Sequence, residues 1–393
     1  MTVNKTNKKE KKLKKLKKLK NNNIIYVIEA FVLTAAAVFL SVISGGALVN
    51  DLTGLICVIA ASALFACVLF LTNPGVIFIS GIASFAITFT INGNITGSFE
   101  SLIYVIIGSI IYFGLRNAKN KKTRTQITVL ITVVLVVFYF LMLALSFMMA
   151  TGTFYSGMIA LTSEIDRALN DGVESFISQY TALLAKSSGG TVSEETAQAA
   201  YLTEIYVKEL VMNFKAIIPA CFIIYSALIA YLSTSLFKSA YNIFIPMANP
   251  GRKKIKNKYW RVNISVVSAI IMIAALFFAL LFSKKDNILP SIVLTNLIYI
   301  LAPGFCLMGI YFTYDRIFKE KARIFPVMLI AAAIMFAFIF PSAIIFILYA
   351  AASVLMAVGL YAALIDSIKK VLDKAKKALL GDENDDDDDD YID

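Results

Sequence analysis

The sequence has no histidine, one tryptophan (Trp260) and charge on only 16% of its residues. Ordinary soluble domains carry charge on about a quarter of theirs. Without histidine there are no imidazole metal ligands, no Ser-His-Asp or Cys-His pairs, no HExxH protease motif, and not the commonest general base. Cysteine is sparse as well. Cys57, Cys67, Cys221 and Cys306 each fall inside an apolar run without CxxC spacing, so they read as small hydrophobes rather than as redox or metal groups. A P-loop, a GxSxG elbow, a dinucleotide fingerprint and an aspartate-phosphorylation motif are all missing. The expectation is a chain that is not an enzyme and holds no cofactor or metal. Any ATP-driven step would have to come from another chain.

What the chain has instead is apolar length: 59% of its residues are hydrophobic. A membrane helix needs about 20 mostly apolar residues. Runs of that kind occur at roughly 24–44, 55–72, 75–91, 99–115, 127–149, 216–237, 264–282, 291–312, 324–340 and 342–364. Pro74 and Gly75 separate the second run from the third, and Pro341 separates the last two. If Pro341 only kinked one long helix, nine spans would remain. The fold class expected is all-α, a polytopic bundle of about ten spans.

Lys and Arg in short loops stay in the cytoplasm. With an inside N-terminus, the strongly basic loops 116–126 (Arg116, Lys119, Lys121, Lys122, Arg124), 245–262 (Arg252, Lys253, Lys254, Lys256, Lys258, Arg261) and 313–323 all fall on one side. Tyr259 and Trp260 fit an aromatic belt at the mouth of the seventh span. The expected location is therefore the plasma membrane, multi-pass, with both termini cytoplasmic.

The ends are strongly charged. Residues 1–23 hold the run KKEKKLKKLKKLK (8–20), and residues 367–393 end in DENDDDDDD (382–390). The lysine run precedes an apolar segment longer than a signal-peptide core, so a retained first span with a topogenic flank that can rest on anionic lipid is the favoured reading. A ribosomal RNA contact and a nuclear signal are the less favoured ones, and no nucleic-acid partner is expected. The aspartate run lacks the spaced ligands and turn glycine of an EF-hand and reads as a solvated tail.

Between the five spans of 24–150 and the five of 214–366 lies the one sizeable water-exposed segment, 151–213. Ile165, Leu169, Val173, Phe176, Ile177 and Tyr180 recur at helical spacing among acidic residues. KSSGGT (186–191) breaks that pattern, and Ser193 with Glu194 and Glu195 starts a second helix that runs into the sixth span. The reading is an extracytoplasmic amphipathic hairpin, serving as a cap on the bundle, a lid over a cavity or a docking surface.

Polar residues near the outer ends of spans, Asn92, Asn94, Glu100 and Lys215, are ligand-binding candidates, with interfacial caps as the plainer alternative. Asn296 is a fifth, because it lies upstream of LAPGF (301–305), where Pro303 and Gly304 are expected to interrupt the helix as in transport sites. Ala37, Ser41 and Gly45 form a small-residue stripe that allows close helix contact, within this chain or with another subunit.

The arrangement resembles the YybS-like family of predicted bacterial membrane proteins, a domain of unknown function. The features carrying the resemblance are the apolar block 24–149, the acidic hairpin 164–210, the basic linker ending KYWRVN (258–263) and the second apolar block to about 366. The family's distant kinship to the substrate-binding components of energy-coupling-factor vitamin transporters implies an outward ligand site and a small-residue face on the first span for a membrane coupling subunit. The Ala37, Ser41, Gly45 stripe is similar in kind, although not built of alanine alone. Three readings follow: a substrate-binding or transport-related membrane component, a membrane scaffold acting through the hairpin or tails, and a self-contained secondary transporter.

Overall fold

The computed structural model describes residues 28–43, 52–93, 95–116, 123–187, 194–248, 255, 263–282, 288–314 and 341–380. Every regular element among them is a helix: α1 (Ile28–Ile43), α2 (Leu52–Leu71), α3 (Val76–Asn92), α4 (Ile95–Glu100), α5 (Ile103–Arg116), α6 (Arg124–Thr151), α7 (Phe154–Ser187), α8 (Glu194–Ala248), α9 (Val266–Phe282), α10 (Ile288–Thr313) and α11 (Pro341–Leu380). Helices close all their backbone hydrogen bonds within one segment, which a chain this apolar needs in lipid. Five helical stretches are long and apolar enough to cross a membrane: Thr53–Leu71, Ile95–Arg116, Arg124–Thr151, Ala216–Pro246 and Pro290–Thr313. The expected span at 324–340, the lysine and aspartate tails, Gly45 and Asn94 lie outside the described residues.

Helix starts follow local chemistry. Thr123 and Gln126 make a reciprocal capping box at the start of α6: the Gln126 N–H donates to Thr123 Oγ1 at 3.4 Å, and the Thr123 N–H donates to Gln126 Oε1 at 3.0 Å. Thr153 caps α7 through the Ser156 N–H (3.2 Å), and Ser265 caps α9 through the Ser268 N–H (3.2 Å). Gly152, at φ 78°, takes the left-handed conformation that turns α6 into α7.

The chain divides into two compact units. The first comprises 1–136, 225–264 and 363–393, and its core is α2 against α5. Phe65, Ala66, Cys67, Val68 and Leu69 of α2 are fully buried, with Ile103, Tyr104, Ile107 and Ile111 of α5. The helices approach closely because α5 presents Gly108: a Cβ there would stand 2.9 Å from Phe65 Cδ1, 3.1 Å from the Ala66 nitrogen and 3.2 Å from the Ser62 carbonyl. Phe70, Tyr112, Phe237 and Tyr241 form an aromatic cluster with ring centroids 5.1–5.9 Å apart.

The second unit comprises 137–224 and 265–362. Here α9 packs on α10, and α10 meets α11 where Gly309 faces the Leu355 carbonyl and Gly359 faces the Phe305 carbonyl. α10 runs continuously through Pro303, so the interruption expected at LAPGF is absent. Neighbouring helices let membrane helices absorb a proline. The expected fourth span lies in the stretch Ile95–Arg116, in which a turn at Ser101, whose Oγ donates to the Ser98 carbonyl (2.7 Å), separates α4 from α5.

Large side chains cover the outside. Phe31, Phe78 and Leu280 are 74%, 75% and 73% exposed, which water would disfavour and hydrocarbon does not. On α7 and the N-terminal part of α8 the surface is different, with exposed ion pairs Arg167–Asp171 (3.8 Å) and Lys208–Glu204 (2.6 Å).

Candidate functional site

Two of the ligand-binding candidates, Asn92 and Glu100, lie on one reversal of the chain. α3 ends at Asn92, and Gly93 (φ 60°) terminates it in the left-handed conformation, its N–H on the Phe89 carbonyl at 2.9 Å. α4 then carries the chain back to Glu100, which is half-buried. Glu100 lies near enough to Tyr225 for its charge to act on the phenol. Asn92 and Glu100 thus share the first unit, whereas Lys215 on α8 and Asn296 on α10 belong to the second.

Below this turn is a buried hydroxyl network that the sequence reading missed. Ser41 Oγ donates to Ser84 Oγ at 3.1 Å, Ser84 Oγ pairs with the Tyr104 hydroxyl at 2.7 Å, and Tyr104 also donates to the Ser80 carbonyl at 3.1 Å. Ser41, Ser80, Ser84 and Tyr104 are all at most 1% exposed, so the network ties α1, α3 and α5 together inside the unit. Ala37 is buried with it. Two residues of the α1 stripe thus face the inside of the unit, and Ser41 Oγ also reaches the Val38 carbonyl of its own helix at 2.7 Å. Serine and threonine barely lower the hydropathy of a run, so only their four-residue spacing on α3 could have drawn attention to this face.

Asn296 has a different task. Its Oδ1 accepts the Ala220 N–H at 2.9 Å, while its Nδ2 donates to the Ala216 carbonyl at 2.6 Å and the Ile292 carbonyl at 2.9 Å. Ala216 and Ala220 are four residues apart on α8, so they are the acceptor and donor that an unbroken helix pairs with each other. Between them stands Pro219, which lacks the N–H that would bond the Lys215 carbonyl and whose ring crowds that turn of α8. The Asn296 carboxamide is spliced into the α8 backbone at its proline, and it holds α10 to α8 while doing so. α8, like α10, runs as one continuous helix through its proline, from Glu194 to Ala248.

Arg124 reads in the sequence as one basic residue of the 116–126 loop. In the structure it is 5% exposed, the first residue of α6, and is fastened to α8. Its Nε donates to Thr234 Oγ1 (3.3 Å), its Nη2 to the Tyr231 carbonyl (3.1 Å) and to Ser235 Oγ, and its guanidinium lies over the Tyr231 ring at 4.4 Å. Asn242, further along α8, receives the Ile255 N–H (2.7 Å) and donates to the Ile255 carbonyl (3.1 Å). The Asn263 N–H reaches Thr125 Oγ1 (2.8 Å). This end of the first unit is thus laced by polar contacts from the linker to α6 and α8.

Among the described residues no group of three or more His, Cys, Asp or Glu side chains is placed to hold a metal ion. The described residues are helical in all their regular elements and hold five stretches of membrane-crossing length, which makes this a helical membrane protein. It matches no family model, no curated protein and no solved structure.

Proposed function

We propose that the chain is a substrate-binding or transport-related component of a cell membrane, without enzymatic activity of its own, that takes a polar ligand at the outer end of α3 and α4. The observation that supports it most is the two-sided character of α3. One side exposes Phe78, Ile79, Ile82 and Ile91 to lipid, while the other buries Ser80, Ser84 and Thr88 and leads to Asn92 and the Glu100 turn. Ionisable groups retained at membrane depth favour a functional reading. The reading includes about ten spans, cytoplasmic tails, an extracytoplasmic hairpin and the YybS-like resemblance. The two-sided helix agrees with the outward ligand site which that resemblance implies.

The test is affinity purification from native membranes in mild detergent, with mass spectrometry of bound proteins and small molecules. It is followed by thermal shift of the recovered ligand on Glu100→Ala and Asn92→Ala. Recovery of a ligand whose stabilisation disappears in both variants, with the unliganded Tm unchanged, supports the site. Undiminished stabilisation excludes it. A scaffold role is the second reading, favoured by the apolar side chains that α8 exposes before its membrane segment, Tyr201, Leu202 and Ile205. Envelope proteins recovered without a ligand would support it.

A further inference from the structure

Hydroxyl side chains in this protein follow a habit. Thr34, Ser62, Thr72, Thr90 and Thr132 each donate to the carbonyl four residues earlier at 2.6–2.8 Å, the usual way a membrane helix satisfies such a group. α3 departs from it at three successive turns. Ser84 bonds sideways, to Ser41 and Tyr104. Ser80 Oγ and Thr88 Oγ1 are buried with no hydrogen-bond partner, at 1% and 0% exposure. The spacing 80, 84, 88, 92 stacks these hydroxyls on one helix face and continues it to Asn92.

A buried hydroxyl without a partner is disfavoured, and internal water is the usual remedy, one molecule making about three hydrogen bonds. The geometry fits. Groups four residues apart on a helix are separated by about 6 Å along its axis. One water between two hydrogen bonds of about 2.8 Å each spans that gap. Hydroxyls donate and accept at once, so they can bind a neutral file without a counter-charge. We infer that the inner face of α3 holds a file of water molecules running from the Asn92 end past Thr88 to Ser84, continued through the Ser84–Tyr104 hydroxyl pair to a water on Ser80. Its ligand is water, whatever the outer turn binds, so the inference stands apart from the proposed substrate site.

Hydroxyl-radical footprinting of the full-length protein in detergent, in water enriched in oxygen-18, reads this directly. Tyr104 is fully buried, so a radical can reach it only from water inside the bundle. The expected result is oxygen-18 on Tyr104 and none on Phe305, which is equally buried among apolar groups. Thr88→Val and Ser80→Ala should each lower the Tm by about 2–4 °C, because a water loses a partner. Thr90→Val, at a lipid-exposed and back-bonded hydroxyl, should leave it unchanged. An unlabelled Tyr104 overturns the inference. A Tm that rises in both variants, as removal of an unsatisfied hydroxyl would cause, overturns it too.

Discussion

The splice at Asn296 makes a prediction that can be worked through. Asn296→Leu keeps the number and branching of the side-chain heavy atoms but removes the group that receives the Ala220 N–H and serves the Ala216 carbonyl. Interhelical hydrogen bonds in membranes contribute about 0.6 kcal/mol on average and about 1.7 at most, so losing these two costs about 1–3 kcal/mol. That figure applies only if α8 cannot close its own bond between Ala216 and Ala220, which Pro219 opposes. Pro219→Ala should let the helix close there. The same Asn296→Leu change, made in a Pro219→Ala background, should then cost far less. The assay is a double-mutant cycle in reversible unfolding from mixed micelles, with an expected coupling of about 1–2 kcal/mol between the positions. Additive effects within about 0.3 kcal/mol would show that Asn296 is an ordinary interhelical contact and would refute the splice.

Three further predictions concern close packing and the buried cation. Gly108→Ala sets a methyl against the α2 backbone at Ser62 and Ala66 and should cost about 1–3 kcal/mol, whereas Gly75→Ala, with open space around it, should be close to neutral; paired unfolding curves compare them. Gly309→Ala and Gly359→Ala each place a methyl on a carbonyl of the opposing helix. Either should lower the Tm sharply, and the double variant should be no worse than the sum, since both act by parting α10 from α11. Arg124→Lys keeps the charge but not the three-acceptor fork. Topology-reporter fusions should be unchanged while the Tm drops; a normal Tm would leave Arg124 with a topological role alone.

Much of the helical framework is legible in the sequence because lipid imposes one rule, about 20 apolar residues per crossing. α6, α9 and α10 therefore sit close to their expected ends. The helix caps could have sharpened those ends, since the Thr123–Gln126 capping box and the Ser265 cap are visible signatures. What periodicity could not say is which side of a uniformly apolar helix faces protein. α3 shows no strong pattern of bulk, yet its interior face is decided by hydroxyls only slightly less apolar than their neighbours. Asn296 stands out in the sequence as a polar residue within an apolar run. Its partner could not be found by looking along α10, because the acceptor and donor lie 80 and 76 residues away on α8. Arg124 went unnoticed because a basic residue in a loop already had a sufficient explanation in orientation.

The distribution of thiols opens an experimental route. Cys57 and Cys67 are buried in α2, whereas Cys221 is exposed and directly follows Ala220, the residue whose N–H the Asn296 carboxamide receives. Cys306 is half-exposed, so once it is replaced a membrane-permeant maleimide should label Cys221 and spare Cys57 and Cys67. A spin label or fluorophore at Cys221 would sit one residue from the spliced turn. The protein supplies its own spectroscopic reporter at the turn of α8 that Asn296 holds, and any rearrangement of that turn would register as a change in label mobility.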